Sequence, residues 1–339
     1  MPEVCICVPT YNAERTIGET ISSILAQDYP NLVIRVVDNA STDRTRQIVE
    51  QFNDPRLILY RNDRNIGAEG NFTRCIQLAS GKYAAIFHAD DLYEPHMVRS
   101  QVEFLEDHGD VGVVFTEALV IDEGGHAVGE MRMPRPLRAA SDRLDFAQLF
   151  KRILEYSNFL ICPSALVRTD VYRNSIREWR CGLFGSSADL DVWFRIARIC
   201  SVAVLCEPLT RYRVSAAQGS TELIKLRTER ADFFRVIDHY IKRADVRDML
   251  TKEDFRNYER LKRSDCAVRA MNLFTLGNVS EARRIAREAL AGDSLLWGLS
   301  RKRGLQTVLL AGFIWLAAAL PWQSPAAGIL RRVRQRLRR

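Results

Sequence analysis

Over the first 115 residues, short apolar runs alternate with stretches in which apolar positions recur every three or four residues. "VCICV" (4–8), "LVIRVVD" (32–38), "RLILY" (56–60), "YAAIF" (83–87) and "VGVVF" (111–115) are short and rich in branched residues, the pattern of buried strands. Between them, Ile17, Ile21, Ile24 and Leu25 fall on one helical face, with Asn12 as the expected cap. Ile48, Val49 and Phe52 predict a second helix within 41–52, a third follows "NIG" (65–67), and Val98, Val102 and Leu105 mark a fourth after Pro95. Strands alternating with helices at this spacing predict an α/β fold with a doubly wound, largely parallel sheet.

The polar clusters of this region share a position in the pattern. "PTYN", "DNASTD", "NIG" and "HADD" each follow the carboxyl end of a strand. Open α/β sheets bind ligands beyond that edge, so four clusters there predict one cleft.

Beyond residue 126 the pattern loosens. "MRMPRPLR" (131–138) reads as a surface loop, and "SSADLDVWFRIAR" predicts a helix running into the strand "VAVLCEPLTRYRV". From 222 to 293 the pattern is helical, and "CAVRAMNLFTLGNVSEARRIAREAL" predicts a hairpin turning at Gly277 and Asn278. It is similar to one tetratricopeptide unit, too little for an array. Leu305 to Trp322 is nearly all apolar, between "RKR" and "RRVRQRLRR". As a helix the part before Pro321 measures about 24 Å, short of the ~30 Å hydrocarbon core. Spanning would also carry one arginine cluster across, against the usual charge asymmetry. The segment therefore predicts a helix dipping into one leaflet, its arginines on anionic headgroups. Docking of that helix on the protein itself is the alternative.

Charge sharpens this picture. The net charge is +7, yet Asp293 is the last acidic residue and nine basic ones come after it: Arg301, Lys302, Arg303, Arg331, Arg332, Arg334, Arg336, Arg338 and Arg339. The basic excess thus belongs to the tail, which argues against a nucleic-acid binder with a basic folded face. The eight cysteines are scattered without a C-x-x-C pair, as expected of core residues in a reducing compartment. No secretory pattern precedes "VCICVP", so the three N-x-S/T sequons at Asn39, Asn71 and Asn278 carry no glycan expectation.

The strand "IFHADD" (86–91) ends on Asp90 and Asp91. Adjacent carboxylates at a cleft need compensation, and hard divalent cations (Mg²⁺, Mn²⁺) favour carboxylate oxygen together with substrate phosphates. A cap for the helix after Pro95 is the other reading.

"VCICVPTYNAERTIGETISSILAQDYPNLVIRVVDNASTDRT" followed by "NIGAEGNFTRCIQLASGKYAAIFHADDL" resembles glycosyltransferase family 2, with the GT-A fold. The resemblance covers about residues 3–220, with several separated motifs in family order. It implies that Pro9, Thr10 and Tyr11 form the nucleotide-base loop, that Asp38 beside Asn39 accepts from base or ribose, and that Asn65 and Gly67 shape the middle of the nucleotide site. It further implies that Asp90 is the main metal ligand, with Asp91 adjacent, for Mn²⁺ or Mg²⁺. His88 stands at the first position of the family's D-x-D-D. "SSADLDVWFRIA" (186–197) is similar to the family's E-D-x-D-x-W-x-x-R segment, with Ala188 where an acid is common; Asp189 matches the general base of an inverting displacement. Asp191, Trp193 and Arg195 are expected to hold that helix. "EPLTRYRVSAAQGS" (207–220) resembles the family's Y-R-x-H ending without the histidine, leaving Arg211 and Arg213 as phosphate partners or ion pairs.

The expected organisation is a GT-A domain over 1–220 (nucleotide-sugar half 1–125, acceptor half 126–220), a helical extension over 221–293 and a membrane-associating tail over 294–339. The implied activity is metal-dependent, inverting sugar transfer from a nucleotide-diphosphate sugar to a glycan or lipid-linked acceptor, in envelope or exopolysaccharide synthesis at the cytoplasmic membrane face. A nicotinamide enzyme would need G-x-G-x-x-G where "VPTYNAERT" stands. A sugar nucleotidyltransferase would also need a glycine-rich first loop, and a processive synthase would need several spans and a Q-x-x-R-W motif. The remaining alternative is a membrane-bound scaffold that keeps the fold without catalysis.

Overall fold

The computed structural model describes residues 1–138, 143–214, 226–320 and 326–330. The chain divides into two compact units, Met1–Phe150 with Asn158–Ser215, and Lys151–Ser157 with Ala216–Arg339.

Up to residue 215 the elements run β1 (Val4–Thr10), α1 (Ile17–Leu25), β2 (Leu32–Asp38), α2 (Thr45–Glu50), β3 (Leu57–Arg61), α3 (Gly67–Leu78), β4 (Tyr83–Ile86), β5 (Leu92–Tyr93), α4 (Met97–Asp107), β6 (Val111–Ile121), β7 (Ala127–Met131), α5 (Arg135–Arg138), β8 (Arg143–Leu144), α6 (Phe146–Tyr156), β9 (Leu166–Arg168), α7 (Ala188–Ala197) and β10 (Ser201–Arg213), all in the first unit except the second half of α6. The sheet order is β3-β2-β1-β4-β9-β6-β10-β5. β1 pairs in parallel with β2 and β4, and β2 with β3. Thr10 lies opposite Asp38, and Asp38 opposite Arg61, so the polar clusters after these strands emerge along one sheet edge. Ile17, Ile21 and Ile24 of α1 are fully buried against the strands, each such side chain contributing about 1.5–3 kcal/mol of burial.

The sheet is an α/β doubly wound one with a mixed far half. β9, "LVR", has no counterpart among the expected strands; it inserts antiparallel between β4 and β6. Three residues carry too little periodicity to announce a strand, and they pair because two stronger strands leave a slot for them. α2 is shorter than the 41–52 pattern, because the Asp43 carboxylate accepts from Thr45 N–H at 2.9 Å and turns the chain before the helix begins. Asn12 does not cap α1: it adopts a positive φ of 50° and its Oδ1 accepts from Thr42 N–H at 2.9 Å.

The second unit contains α8 (Asp232–Ile241), α9 (Ala244–Asp248), α10 (Lys252–Thr275), α11 (Val279–Ala289), α12 (Ser294–Ser300) and α13 (Lys302–Ala317). Thr251 and Asp254 close a reciprocal capping box at the start of α10. The turn to α11 is made by Gly277 at φ +86°, a conformation open to glycine at little cost. Small residues (Ala270, Ala282, Ala286 and Ala289) let α10 and α11 approach closely, and Ala311 and Ile314 of α13 join the same core. The apolar segment that begins at Leu305 therefore docks one face on its own hairpin. Among the described residues no helix is long and apolar enough to cross a membrane. Pro321, Trp322, the arginines from 331 onward and the 215–220 part of the 207–220 segment all lie outside the described residues.

Candidate active site

Two loops meet at the head of β1 and β2. Backbone amides of the "TYNAE" turn donate into side chains of "STDRT": Asn12 N–H to Ser41 Oγ (3.0 Å), Ala13 N–H to Thr45 Oγ1 (2.7 Å) and Glu14 N–H to an Asp43 carboxylate oxygen (3.1 Å). This zipper fixes Pro9, Thr10 and the exposed Tyr11 against the β2 end. Asp38 is buried; its Oδ1 accepts from Ser41 N–H, while Oδ2 lies 3.6 Å from the Arg61 guanidinium.

Asn39 anchors a chain of amides. Its Nδ2 donates to Asn65 Oδ1 (2.8 Å) and to the Gly67 carbonyl, and its Oδ1 accepts from Asn62 Nδ2 and from Ile66 N–H. Asn62 also donates to Asn71 Oδ1, and Asn71 donates to the Val37 carbonyl. The "NIG" turn is thereby tied to the β2 end, with Gly67 at φ +79°.

At the end of β4 the backbone turns through His88, Ala89, Asp90 and Asp91. Helix α1 holds this corner with a stripe of hydroxyls: Thr16 donates to the Ala89 carbonyl and Thr20 to the Asp91 carbonyl, each at 2.9 Å, while Ser23 Oγ accepts from Tyr93 N–H. Tyr93, stacked on Phe87, accepts from His88 N–H at 2.7 Å. His88, Asp90 and Asp91 each bring a ligand atom within 4.8 Å of the others. His88 Nδ1 lies 3.8 Å from Asp91 Oδ2. Burial lowers the His88 pKa, which favours the neutral, metal-competent imidazole, and burial beside Asp90 raises that of Asp91.

Both arginines at the end of β10 are engaged. Arg211 pairs with Glu94 at 2.6 Å on the surface. Arg213 is buried and clamps the corner: its N–H donates to Asp91 Oδ1, and its guanidinium donates to the carbonyls of Asp90 and Glu123 and to the Glu19 carboxylate. The structure thus places Arg213 as a clamp rather than as an open phosphate ligand.

Asp189 sits in the first turn of α7, and burial pushes its carboxyl up to about 6, against the lowering effect of the Leu190 N–H. Asp191, two residues on and fully buried, pairs with Arg180 (3.2 Å) and Arg195 (2.9 Å). Trp193 packs edge-on against Phe115. The Cys162 thiol is raised by burial and then by the charges of Asp189 and Asp91.

Several buried polar atoms around this edge have no hydrogen-bond partner. Thr10 Oγ1, Asp38 Oδ2, His88 Nε2, Asp91 Oδ2 and Trp179 Nε1 are all among them. Each such atom costs about 1–3 kcal/mol unless something satisfies it. The donor set suits a hard or borderline divalent cation and a polar, hydroxyl-rich substrate.

A sequence profile described as Glycosyl transferase family 2 matches residues 5–175. The chain belongs to this family. It is a glycosyltransferase with a GT-A-like fold, similar over 242 residues, at 30% identity, to an uncharacterized glycosyltransferase of Rickettsia prowazekii (69% of this chain, 70% of that one). Over 102 residues it is 37% identical to WfgD of Escherichia coli, named as a UDP-Glc:alpha-D-GlcNAc-diphosphoundecaprenol beta-1,3-glucosyltransferase (30% of this chain, 40% of that one). In fold it is similar to the mannosyltransferase PcManGT of Pyrobaculum calidifontis, solved in complex with GDP-Man and Mn²⁺. That match has a TM-score of 0.55 at 20% identity, covering 96% of this chain and 88% of that one.

Several residues around the candidate site have no role in the motif reading. The α1 hydroxyls are one set; Thr16, Thr20 and Ser23 recur at helical spacing beside the isoleucine face, and that polar stripe is a usable signal. Phe72 is another, stacked on Trp179 at 4.4 Å and edge-on to His88 at 5.6 Å. Nothing local ties residue 72 to residue 179, so that platform has no signal in the sequence.

Proposed function

We propose that the glycosyltransferase transfers a sugar, with inversion, from a nucleotide-diphosphate sugar to a hydroxyl of a glycan or lipid-linked acceptor in cell-envelope or exopolysaccharide synthesis, and that it needs a divalent cation. The observation that carries this reading is the run of unsatisfied buried polar atoms along the sheet edge, from Thr10 and Asp38 to His88 and Asp91. The lipid-linked acceptor class is supported by the name of WfgD, and the cation by the Mn²⁺ bound with GDP-Man in the PcManGT complex.

In this reading Pro9, Thr10, Tyr11, Asp38 and Asn39 receive the nucleoside, with Asn65 and Gly67 forming the floor that the amide chain holds in place. Asp90 and Asp91, with His88 alongside, would hold Mn²⁺ or Mg²⁺, which supplies positive charge to a leaving diphosphate. Arg211 adds a surface guanidinium that can exchange Glu94 for phosphate. Arg213 keeps the two aspartates in register. Asp189 takes the proton from the acceptor hydroxyl as that oxygen attacks the anomeric carbon; its raised pKa makes it a stronger base than a surface aspartate.

Calorimetric titration of UDP, GDP and dTDP, with and without Mn²⁺, into the wild type and Asp90→Ala tests the assignment. Metal-dependent binding of one nucleotide, weakened in the variant, is the expected result. A folded protein that binds none of them, with or without metal, would return the non-catalytic scaffold to first place.

A further inference from the structure

The second unit leaves an apolar face uncovered by any of the described residues. On α13, Gly304, Thr307, Ala311, Ile314 and Ala317 are buried. Leu305, Leu309, Phe313 and Leu316 are exposed, and Leu320 continues their spacing. At 100° per residue the four positions on α13 fall within one quarter-turn of the helix, opposite the docked face. The short helix α12 adds Leu295, Leu296 and Leu299, the last two 72% and 86% exposed. Scattered surface leucines are ordinary, but seven large exposed apolar side chains on two consecutive helices, with Leu320 just beyond, form the kind of patch that marks an interaction surface.

The charges around this face are mostly basic, with Glu155 and Asp293 each held in ion pairs. Arg301 lies between the two helices and Lys302 and Arg303 open α13, all three exposed. Among the described residues only Arg301 is matched by a carboxylate there, Glu155 at 3.2 Å. The sequence after Asp293 contains nine basic residues and no acidic one. A second copy meeting this face would oppose like charges. An anionic lipid surface matches both its components, acyl chains for the leucines and headgroups for the cations.

We propose that α12 and α13 form an in-plane platform, with Leu296, Leu299, Leu309 and Leu316 inserted at the headgroup–acyl boundary of an anionic membrane and Lys302 and Arg303 on its phosphates. The helix lies in the surface and does not span, in keeping with its length. This inference goes beyond the transfer reaction and does not depend on it.

Cosedimentation of the full chain with vesicles tests it, using phosphatidylcholine alone and an equal mixture with phosphatidylglycerol, at low and high salt. The expected result is binding to the anionic vesicles that salt weakens, with binding to the neutral vesicles markedly poorer. Leu299→Glu combined with Leu309→Glu alters exposed positions only, and should lower that binding roughly tenfold or more while leaving melting temperature and nucleotide binding unchanged. Wild type that stays in the supernatant with anionic vesicles would overturn the proposal. So would equal binding by the double variant, or equal binding to both lipid mixtures. A dimer abolished by the same pair, without vesicle binding, would assign the face to self-association instead.

Discussion

At the scale of single residues, Asp189 is where stability and the proposed chemistry oppose each other. Its carboxyl is held near 6 by burial, so the carboxylate needed by a base accumulates as pH rises through 6. Turnover should therefore climb with pH up to about 7 and level off, falling about tenfold per unit well below 6; initial rates across a buffer series will show it. A pKa raised above the unfolded value means that the folded state binds the proton more tightly. Asp189 thus favours folding most below the unfolded pKa near 4 and loses that contribution as pH rises through 6. Asp189→Asn removes the buried charge. It should cut turnover by about 10²–10⁴ while melting no lower than wild type at pH 8, which separates loss of the base from loss of the fold. His88 gives a second test at this scale. An imidazole among two carboxylates favours Mn²⁺ over Mg²⁺. His88→Asp should lower the Mg²⁺ concentration needed for nucleotide binding relative to the Mn²⁺ concentration, readable by titrating each metal at fixed nucleotide.

At the scale of elements, the site is held by helices whose second face is easy to overlook. The isoleucines of α1 announce a helix packed on the sheet, and it is there; the hydroxyls beside them hold the carboxylate corner. Thr20→Val keeps the shape and removes one donor, leaving the buried Asp91 carbonyl unsatisfied. It should cost about 1–3 kcal/mol in chemical denaturation and weaken metal-dependent nucleotide binding. Asp191→Asn should cost more, about 3–5 kcal/mol, because it leaves Arg195 and Arg180 facing a neutral amide. The strands β1 to β4, the helices between them and the turn at Gly277 are legible because period and turn chemistry are local. β9 and the Phe72–Trp179 stack are not, since each exists only through a partner far along the chain. Arg213 is legible as a cation at the cleft; its burial as a clamp depends on Glu19 and the 122–123 carbonyls arriving from other elements.

At the scale of the whole molecule, the candidate ligand atoms come from the ends of β1, β2 and β4 and from α7, all within the first unit. A nucleotide and metal that touch the strand-end residues join segments from Pro9 to Asp91 in sequence, so their binding energy acts on the unfolding of that unit as a whole. At a hundredfold excess over its dissociation constant the nucleotide adds about 2.7 kcal/mol, worth about 5–10 °C for a unit of this size. The second unit has its own core of alanines and Ile285 and Ile314, and none of these atoms. If the two units melt separately, only one transition should move when the cognate nucleotide and Mn²⁺ are added together, and calorimetric scanning resolves the two. Asp90→Ala should erase the increment that Mn²⁺ adds to the nucleotide alone. A single transition that shifts as a whole would mean that the units unfold as one cooperative block. A metal increment that survives Asp90→Ala would move the cation away from the β4 corner.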